Sequence, residues 1–191
     1  MQDFAPVALD KAAILLNHGP VTLVTSAHGD ARNVMAASWA MPLDFMPPKV
    51  AVVIDARTYT RRLIESSGEF ALNVPARALA AATLAVGSVS GAQEDKFATQ
   101  RLATFAASRI AVPLLEGCIA WLECRVLPEP HNQQRYDLFL AEVVAAWADP
   151  AVFSAGRWQF GDDDALRSMH YVAGGWFFAT GEAFSVNDDE P

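Results

Sequence analysis

The feature that most limits the fold is a series of about seven short strand-like segments that do not alternate one by one with helices. PVTLVTSA alternates in the manner of a strand, and Gly29 and Asp30 follow it as a hairpin turn. A partner strand is predicted from about Asn33 to Met41. The next strand, VAVVID, starts at Val50 and is almost wholly apolar, as in the centre of a covered sheet. This pattern predicts a mainly β fold, a closed or nearly closed antiparallel barrel with peripheral helices.

The remaining segments complete this prediction. Four more strands are predicted at EFALNVP, GCIAWLECRVL, RYDLFLAEVVAAW and GGWFFATG, and HNQQ is predicted to be a turn. A short helix is expected from Leu9 to Asn17, and a second one in RTYTRRLIESSG with Thr58 or Thr60 as N-cap and Gly68 at its end. ARALAAATLAVG and EDKFATQRLATF are predicted helices on either side of the polar loop GSVSGAQ.

The length and composition predict one domain. The 191 residues form a single unit with a core at about 20–181 and an acidic C-terminal tail. Hydrophobic residues make up 52% of the chain and charged residues 19%, which hints at a buried subunit interface. The acidic runs Asp162–Asp164 and Asp188–Glu190 are interpreted as solvated loop and tail. A net charge of -8 without a basic stripe argues against a nucleic-acid partner.

The compartment is expected to be the cytoplasm. The amino terminus lacks the pattern of a signal peptide, and no segment approaches the ~20 apolar residues needed to span a bilayer. Cys118 and Cys124 are the only cysteines, and both fall in one predicted strand. Six strand positions separate them by roughly 20 Å, which is too far for a disulfide. A reduced protein is the interpretation that follows.

Catalytic signatures borne by side chains are absent from the sequence. No serine lies in G-x-S-x-G, and the four histidines do not have the spacing of metal ligands. His18 and His28 are interpreted as surface residues in turns. His131 and His170 are better candidates to face a site, and His170 is a candidate catalytic residue.

A strand with small side chains is the first candidate part of a binding site. In RNVMAASWAM, the small residues Ala36 and Ala37 would let a flat ring approach the backbone closely. A strand made small to accommodate a packed helix explains them equally well. Strand alternation predicts one face with Asn33, Met35 and Ala37, and another with Val34, Ala36 and Ser38.

Anion-binding residues follow in the sequence. Arg57 lies at a predicted helix N-terminus, where free N–H groups and the helix dipole favour a phosphate. Thr58 or Thr60 could serve only as a cap, and Arg61 and Arg62 are interpreted mainly as a solvated helix face. A third, weaker polar cluster lies in GSVSGAQEDK: Ser88, Ser90, Gly91 and Lys96.

Together these motifs resemble a known family. N-x-M-x-x-S-W, FMPPKVAVVID, R-x-Y-T-x-x-L-I-x-x-x-G-E-F-x-x-N-V-P, VSGAQEDKF and MHYVAGGWFFATG are similar to motifs of the flavin reductase-like proteins with an FMN-binding split barrel, closest to the flavoredoxin-type branch. The similarity extends from about Pro20 to Gly181. It implies a six-stranded Greek-key split barrel and a homodimer with FMN in a cleft at the subunit interface.

The resemblance also implies a set of cofactor-binding residues and two departures from the family. A threonine of the relatives is replaced by Ala36 or Ala37, and the acidic residue that often follows the cleft histidine is replaced by Asn132. Either change could weaken flavin binding. The implied cofactor-binding residues are Asn33, Met35, Ala36, Ala37, Ser38, Trp39, Arg57, Thr60, Ser90, Gly91, Lys96, His131 and Tyr171.

The expected function is that of a flavin-dependent oxidoreductase. NAD(P)H would donate a hydride to bound FMN, and the electrons would pass to a small-molecule or protein acceptor. One alternative is an FMN-holding electron carrier without a nicotinamide site. Another is an interaction barrel that has lost its ligand, and a fourth is a barrel that binds haem or another flat cofactor near His170.

Overall fold

The computed structural model of the chain describes residues 4–186. The acidic run Asp188–Glu190 lies outside the described residues. The strands are β1 Ala5–Pro6, β2 Thr22–His28, β3 Ala31–Ala37, β4 Ala40–Phe45, β5 Pro48–Val53, β6 Glu69–Pro75, β7 Thr104–Phe105, β8 Leu114–Leu115, β9 Cys118–Leu127, β10 Leu138–Ala148, β11 Phe153–Ser154, β12 Arg157–Trp158, β13 Met169–Ala173 and β14 Trp176–Ala179. The α-helices are α1 Ile14–Asn17, α2 Tyr59–Ser67, α3 Ala80–Ser88, α4 Lys96–Thr99 and α5 Pro130–Tyr136, and 3-10 turns span Leu9–Lys11, Arg77–Leu79 and Asp164–Leu166.

One antiparallel sheet dominates the part of the chain that the structure describes. Its strand order is β3-β2-β6-β9-β10-β5-β4, and β1 also pairs with β10. The edge strands β3 and β4 are consecutive in sequence but do not pair, so the curved sheet stays open between them. This is a split barrel with peripheral helices, and the predicted fold class is confirmed, although the sheet has eight strands and not the six that the resemblance implies.

The sheet has an apolar layer on each side. One buried cluster includes Phe70 and Leu72 of β6, and the other includes Trp121 of β9 and Val86 of α3. Alternation along β3 decides which cluster each side chain joins. Ala37 belongs to the first cluster, and Val34 belongs to the second. The edge strand β3 therefore has one face toward the barrel interior and the other toward α3.

Helix α2 forms as the sequence predicts. Thr58 is its N-cap, and the Thr58 hydroxyl accepts a 3.2 Å hydrogen bond from the backbone N–H of Arg61. Gly68 ends the helix with a φ of 72°, and its N–H donates to the Ile64 carbonyl at 2.8 Å. Both ends of α2 are thus fixed by local sequence, which gives its first turn a defined position beside the sheet.

Several predicted elements have different bounds. The expected Leu9–Asn17 helix is divided into a 3-10 turn and the four-residue α1. The expected Asn33–Met41 strand ends at Ala37 and resumes at Ala40. At this break the Trp39 carbonyl accepts a 3.0 Å hydrogen bond from the Val53 N–H, so the chain crosses from one sheet edge to the other.

The second half of the chain differs from the prediction at three places. HNQQ is part of α5 and not a turn, because Pro130 starts a helix that Asp137 ends in the left-handed conformation. In EDKFATQRLATF only the four residues of α4 are helical, and Arg101 follows with a φ of 52°. The strand β13 was not predicted, and it pairs with β14 as a hairpin.

The two cysteines and the lengths of the helices bear on two further expectations. Cys118 and Cys124 are both buried in β9 and do not form a disulfide, as predicted. Burial raises the pKa of both thiols. In residues 4–186, no helix combines the length and apolar character that crossing a membrane requires.

Candidate functional site

A cleft of about 580 Å³ lies where the start of α2, the edge strand β3 and the loop after α3 meet. Its volume falls within the range of pockets that bind small molecules and cofactors. Seven of the residues predicted to bind a cofactor line it: Asn33, Met35, Arg57, Thr60, Ser90, Gly91 and Lys96. Residues from three separate parts of the sequence are therefore brought to one cavity.

The first turn of α2 supplies backbone donors to this cleft. The N–H groups of Tyr59 and Thr60 open the helix and have no acceptor within it, since the first N–H groups of an α-helix lack a preceding turn. Both residues line the cleft. The positive end of the helix dipole adds to their effect. An anion in the cleft could therefore be bound by backbone groups alone.

Arg57 stands beside this helix end, but its guanidinium already has a partner. Nε and Nη2 donate to Oδ1 and Oδ2 of Asp55 at 3.0 and 2.8 Å, and the Arg57 backbone N–H donates to the same Oδ1 at 2.8 Å. These hydrogen bonds lower the pKa of Asp55 to about 2, so its carboxylate is charged at neutral pH. The Arg57 side chain is 90% exposed. Any anion that contacts this guanidinium would share it with Asp55.

Asn33 contacts the three parts of the chain that form the cleft, because it belongs to β3 and touches both α2 and the loop after α3. Its Nδ2 donates a 2.8 Å hydrogen bond to Thr60 Oγ1, and both side chains are buried. A Cβ atom added to Gly91 would lie 2.0 Å from Asn33 Oδ1. Residue 91 must therefore be glycine for the loop to approach β3 this closely. The hydrogen bond and the close approach fix the positions of α2 and the loop relative to β3.

Lys96 is a buried cation at the cleft wall. Its Nζ donates to the carbonyls of Val34 and Val86 at 3.0 and 2.7 Å, linking β3 to α3. Burial lowers the pKa of Lys96. An ammonium group has three N–H donors, so these two bonds leave one more for a ligand in the cleft.

A second cavity of about 170 Å³ lies on the other face of β3, beneath the β13–β14 hairpin. Ala36, Ser38 and Tyr171 line it, so these three predicted residues are separated from the larger cleft. Gly87 borders both cavities, and a Cβ atom there would lie 3.3 Å from the Ala36 Cβ. Ala36 thus accommodates helix α3, which was the equally weighted interpretation of the small residues.

Three other predicted residues line neither cavity in the single chain. Ala37 is buried in the core cluster of the barrel interior. Trp39 is 73% exposed at the break between β3 and β4. His131 is exposed on α5, with its ring centroid 5.8 Å from that of Tyr136.

Two further histidines, the candidate His170 and also His18, belong to a hydrogen-bonded network. His18 Nε2 lies 2.9 Å from Ser168 Oγ, which lies 2.6 Å from Thr180 Oγ1. His170 Nε2 lies 3.0 Å from Thr180 Oγ1, and His170 Nδ1 lies 3.0 Å from the Gly19 carbonyl. His18 is half-buried, so its interpretation as a surface residue is wrong, whereas His28 is exposed as predicted. The network ties the end of α1 to the β13–β14 hairpin.

Comparison with known proteins identifies the family. A model of the flavin reductase like domain matches residues 16–166 of this chain. The chain belongs to the flavin reductase-like family. The uncharacterized protein YddH of Escherichia coli K12 is 46% identical over 185 residues, which cover 95% of this chain and 97% of YddH.

Solved structures of the flavin reductase-like family share the architecture. An FMN-binding domain of a flavin reductases-like enzyme from Shewanella baltica OS155 is 46% identical and covers 97% of this chain and 98% of its own, with a TM-score of 0.95. Flavoredoxin of Desulfovibrio vulgaris (Miyazaki F) is 24% identical, and the match covers 90% of this chain and 91% of the flavoredoxin chain, with a TM-score of 0.77. The second likeness concerns the fold alone. The family resemblance inferred from the motifs is confirmed.

Some residues of this flavin reductase-like chain were not anticipated. Arg61 is buried and not part of a solvated face, since its guanidinium donates to Glu65, Asp137 and the Gln133 carbonyl at 2.7, 2.6 and 2.7 Å. It thereby ties α2 to α5. The spacing of Arg61 and Glu65 by four residues was a usable signal in the sequence. The role of Asp55 could also be suspected, because it lies two residues before Arg57.

Proposed function

We propose that this protein is an FMN-dependent oxidoreductase that accepts hydride or electrons from NAD(P)H and passes them to an acceptor. The observation that carries the proposal is a cofactor-sized cleft with a helix N-terminus and an arginine at one side. A phosphorylated ligand fits this arrangement, because backbone N–H groups and a guanidinium are both suited to a phosphate. The description of the Shewanella baltica relative as FMN-binding supports flavin as the ligand.

The residues of the cleft would have distinct tasks toward FMN. Arg57 and the N–H groups of Tyr59 and Thr60 would bind the phosphate. Met35 would contact the apolar part of the ring system, and Ser90 and Gly91 would border it. FMN supplies the hydride and electron chemistry, which explains why no catalytic triad is needed.

Lys96 has an electrostatic task in this proposal. Its charge is held in place by the carbonyls of Val34 and Val86 before any ligand binds. A cation that is fixed in advance stabilises negative charge more effectively than one that must reorganise. Lys96 would therefore favour an electron-rich ligand in the cleft.

We also propose that the protein is a homodimer. Exposed large apolar side chains are concentrated along β4 and on β14, which is unusual for the surface of a monomer. In a dimer with the cleft at the interface, the exposed Trp39 and His131 of one protomer could reach the cleft of its partner. The exposed residues are Trp39, Met41, Leu43, Phe45, Trp176 and Phe178.

The proposal is tested in three steps with the purified protein. Absorption bands at about 370 and 450 nm would identify a copurified flavin. Added FMN at about 100 times its dissociation constant should stabilise the fold by ~2.7 kcal/mol. NAD(P)H should then be oxidised faster than by free FMN under the same conditions.

The outcomes separate the candidate functions. FMN binding with no acceleration of NAD(P)H oxidation, but with reduction by a partner protein, would favour an electron carrier. A colourless protein that FMN does not stabilise would exclude both the reductase and the carrier, and would leave an interaction barrel.

A further inference from the structure

We propose that the smaller cavity is a second binding site, which takes a neutral single-ring compound carrying a carbonyl or carboxamide group. The cavity measures about 170 Å³, against about 580 Å³ for the larger cleft, which we propose to bind FMN and call the flavin cleft. A protein cavity of about 150 Å³ is known to hold one benzene molecule. The smaller cavity therefore has the size of a single six-membered ring and not that of the three fused rings of a flavin.

The lining of the cavity favours a neutral, partly apolar ligand. None of the side chains that form it carries a charge at neutral pH. Tyr171 and Phe177 of the hairpin contribute two aromatic rings whose centroids lie 5.2 Å apart with an interplanar angle of 62°. Val21 and Leu84 extend this apolar wall. An anion placed here would lose its hydration without gaining a counter-charge.

Thr83 supplies the polar group that would orient such a ligand. Thr83 lines the cavity and is only 1% exposed. Within residues 4–186, Thr83 Oγ1 has no hydrogen-bond partner. Buried hydroxyl groups are normally hydrogen-bonded, and an unpaired one destabilises a fold. A carbonyl oxygen in the cavity would satisfy the Thr83 hydroxyl.

The other hydroxyl groups of the cavity do not offer the same opportunity. Ser88 Oγ already donates to the Leu84 carbonyl at 2.8 Å. Ser38 and Tyr171 are exposed, so water can satisfy their hydroxyl groups. Thr83 is therefore the donor whose hydrogen bond to a ligand would contribute most to the free energy of binding.

The position of the cavity makes it separate from the flavin cleft. It opens on the face of β3 that bears Ala36, whereas the flavin cleft contacts the face that bears Met35. Gly87 of α3 approaches Ala36 between the two spaces. A ring in the smaller cavity would thus lie beside the flavin cleft, and this inference does not depend on FMN binding.

The test measures the affinity of benzamide by ligand-observed NMR titration, with and without saturating FMN. Benzoate, which has the same shape but a negative charge, is the matched ligand. Thr83→Val removes only the hydroxyl and keeps the side-chain volume, whereas Thr83→Ser keeps the hydroxyl. Thr99→Val, at an exposed threonine of α4, is the control variant.

We expect saturable benzamide binding to the wild-type chain and weaker binding of benzoate. Thr83→Val should weaken benzamide about three- to tenfold, the range expected for one hydrogen bond, whereas Thr83→Ser and Thr99→Val should leave it nearly unchanged. Thr83→Val should melt at or above the wild-type temperature, because it removes an unpaired buried hydroxyl. Saturating FMN should leave benzamide binding intact.

Other results would overturn the proposal. No saturable benzamide binding to the wild-type chain, or equal binding of benzamide and benzoate, would exclude the ligand class without any variant. Unchanged affinity in Thr83→Val would exclude the role of Thr83. Loss of benzamide binding on adding FMN would make the cavity part of the flavin cleft. If FMN does not bind at all, the measurements without FMN still decide the question.

Discussion

At the scale of single residues, the charge in the proposed flavin cleft depends on Asp55 and Arg57, which lie two positions apart in the sequence. The Arg57 guanidinium, proposed to bind a phosphate, is hydrogen-bonded to the Asp55 carboxylate, which is charged at neutral pH. The two residues therefore have opposite effects on the affinity for an anionic ligand: Arg57 attracts it and Asp55 repels it. Substituting each in turn separates the two effects.

Arg57→Ala is expected to weaken FMN about tenfold and to leave riboflavin almost unchanged, because only FMN carries a phosphate. A contact of a charged donor contributes about 1.5–3 kcal/mol, and sharing with Asp55 favours the lower end of that range. Isothermal titration with both flavins measures the difference. Equal losses for FMN and riboflavin would show that Arg57 does not contact the phosphate.

Asp55→Asn provides the matched variant, because it removes the negative charge and keeps the side-chain shape. Its expected result is tighter binding of FMN and unchanged binding of riboflavin, measured in the same titrations. Weaker FMN binding in this variant would mean that Asp55 orients Arg57 for the ligand instead of competing with it.

The residue scale also shows what the sequence could and could not predict. Arg57 and Thr60 were placed correctly at the start of α2, since helix caps follow from local sequence. The separation of Ala36 from Met35 followed from strand alternation. The missing partner of Thr83 and the buried position of Arg61 could not be predicted, because they depend on packing between distant segments.

At the scale of elements, close contacts between the loop after α3 and β3 determine the shape of the cleft. Gly91→Ala would place a Cβ atom 2.0 Å from Asn33 Oδ1, and Asn33 is held by its hydrogen bond to Thr60. The overlap is expected to reduce stability by about 1–3 kcal/mol and to weaken FMN binding. Gly161→Ala is the control, since a Cβ atom there meets no atom within 4 Å. Equal melting temperatures and FMN affinities for both variants would contradict this packing.

The histidine network at the β13–β14 hairpin gives a pH dependence. Burial and then the charge of His170 lower the pKa of His18 from 6.5 to about 4. The unfolded chain therefore binds more protons than the folded one between these values, and stability should fall as the pH falls from about 6.5 to 4. The loss attributable to His18 is up to about 3 kcal/mol.

The variant that tests this dependence is His18→Gln, which cannot titrate. Its free energy of unfolding should change less with pH in this window than that of the wild-type chain, as followed by urea denaturation. His28→Gln, at an exposed histidine, should retain the wild-type dependence. Identical slopes for His18→Gln and the wild-type chain would exclude His18 as their source.

The bounds of the elements were harder to predict than their existence. A single strand was expected from Asn33 to Met41 as the partner that follows the hairpin turn at Gly29 and Asp30, but β3 and β4 lie at opposite edges of the sheet. At the break the Trp39 carbonyl accepts a hydrogen bond from Val53 of β5, and the local sequence around Trp39 does not specify this partner. The curvature and closure of a barrel depend on all of its strands together, so they cannot be predicted from the periodicity of one segment.

At the scale of the whole molecule, the exposed apolar side of β4 predicts an assembly. Met41, Leu43 and Phe45 alternate along β4 with exposed fractions of 53%, 46% and 71%. Phe45→Glu would place a charge in the proposed dimer interface, where an unpaired charge is strongly unfavourable. Sedimentation velocity should therefore show a dimer for the wild-type chain and a shift toward monomer for Phe45→Glu. Val186→Glu, at an exposed apolar residue outside these strands, is the control.

Dimerisation and cofactor binding should be coupled if a partner protomer completes the cleft. Trp39 and His131 line neither cavity of the single chain, although the family resemblance assigns both to the cofactor site. Phe45→Glu should therefore weaken FMN in proportion to the fraction of monomer, and raising the protein concentration should restore affinity. FMN titrations at several protein concentrations measure this coupling. Full FMN affinity in a purely monomeric variant would mean that one chain forms the whole site, and Trp39 and His131 would then have no part in it.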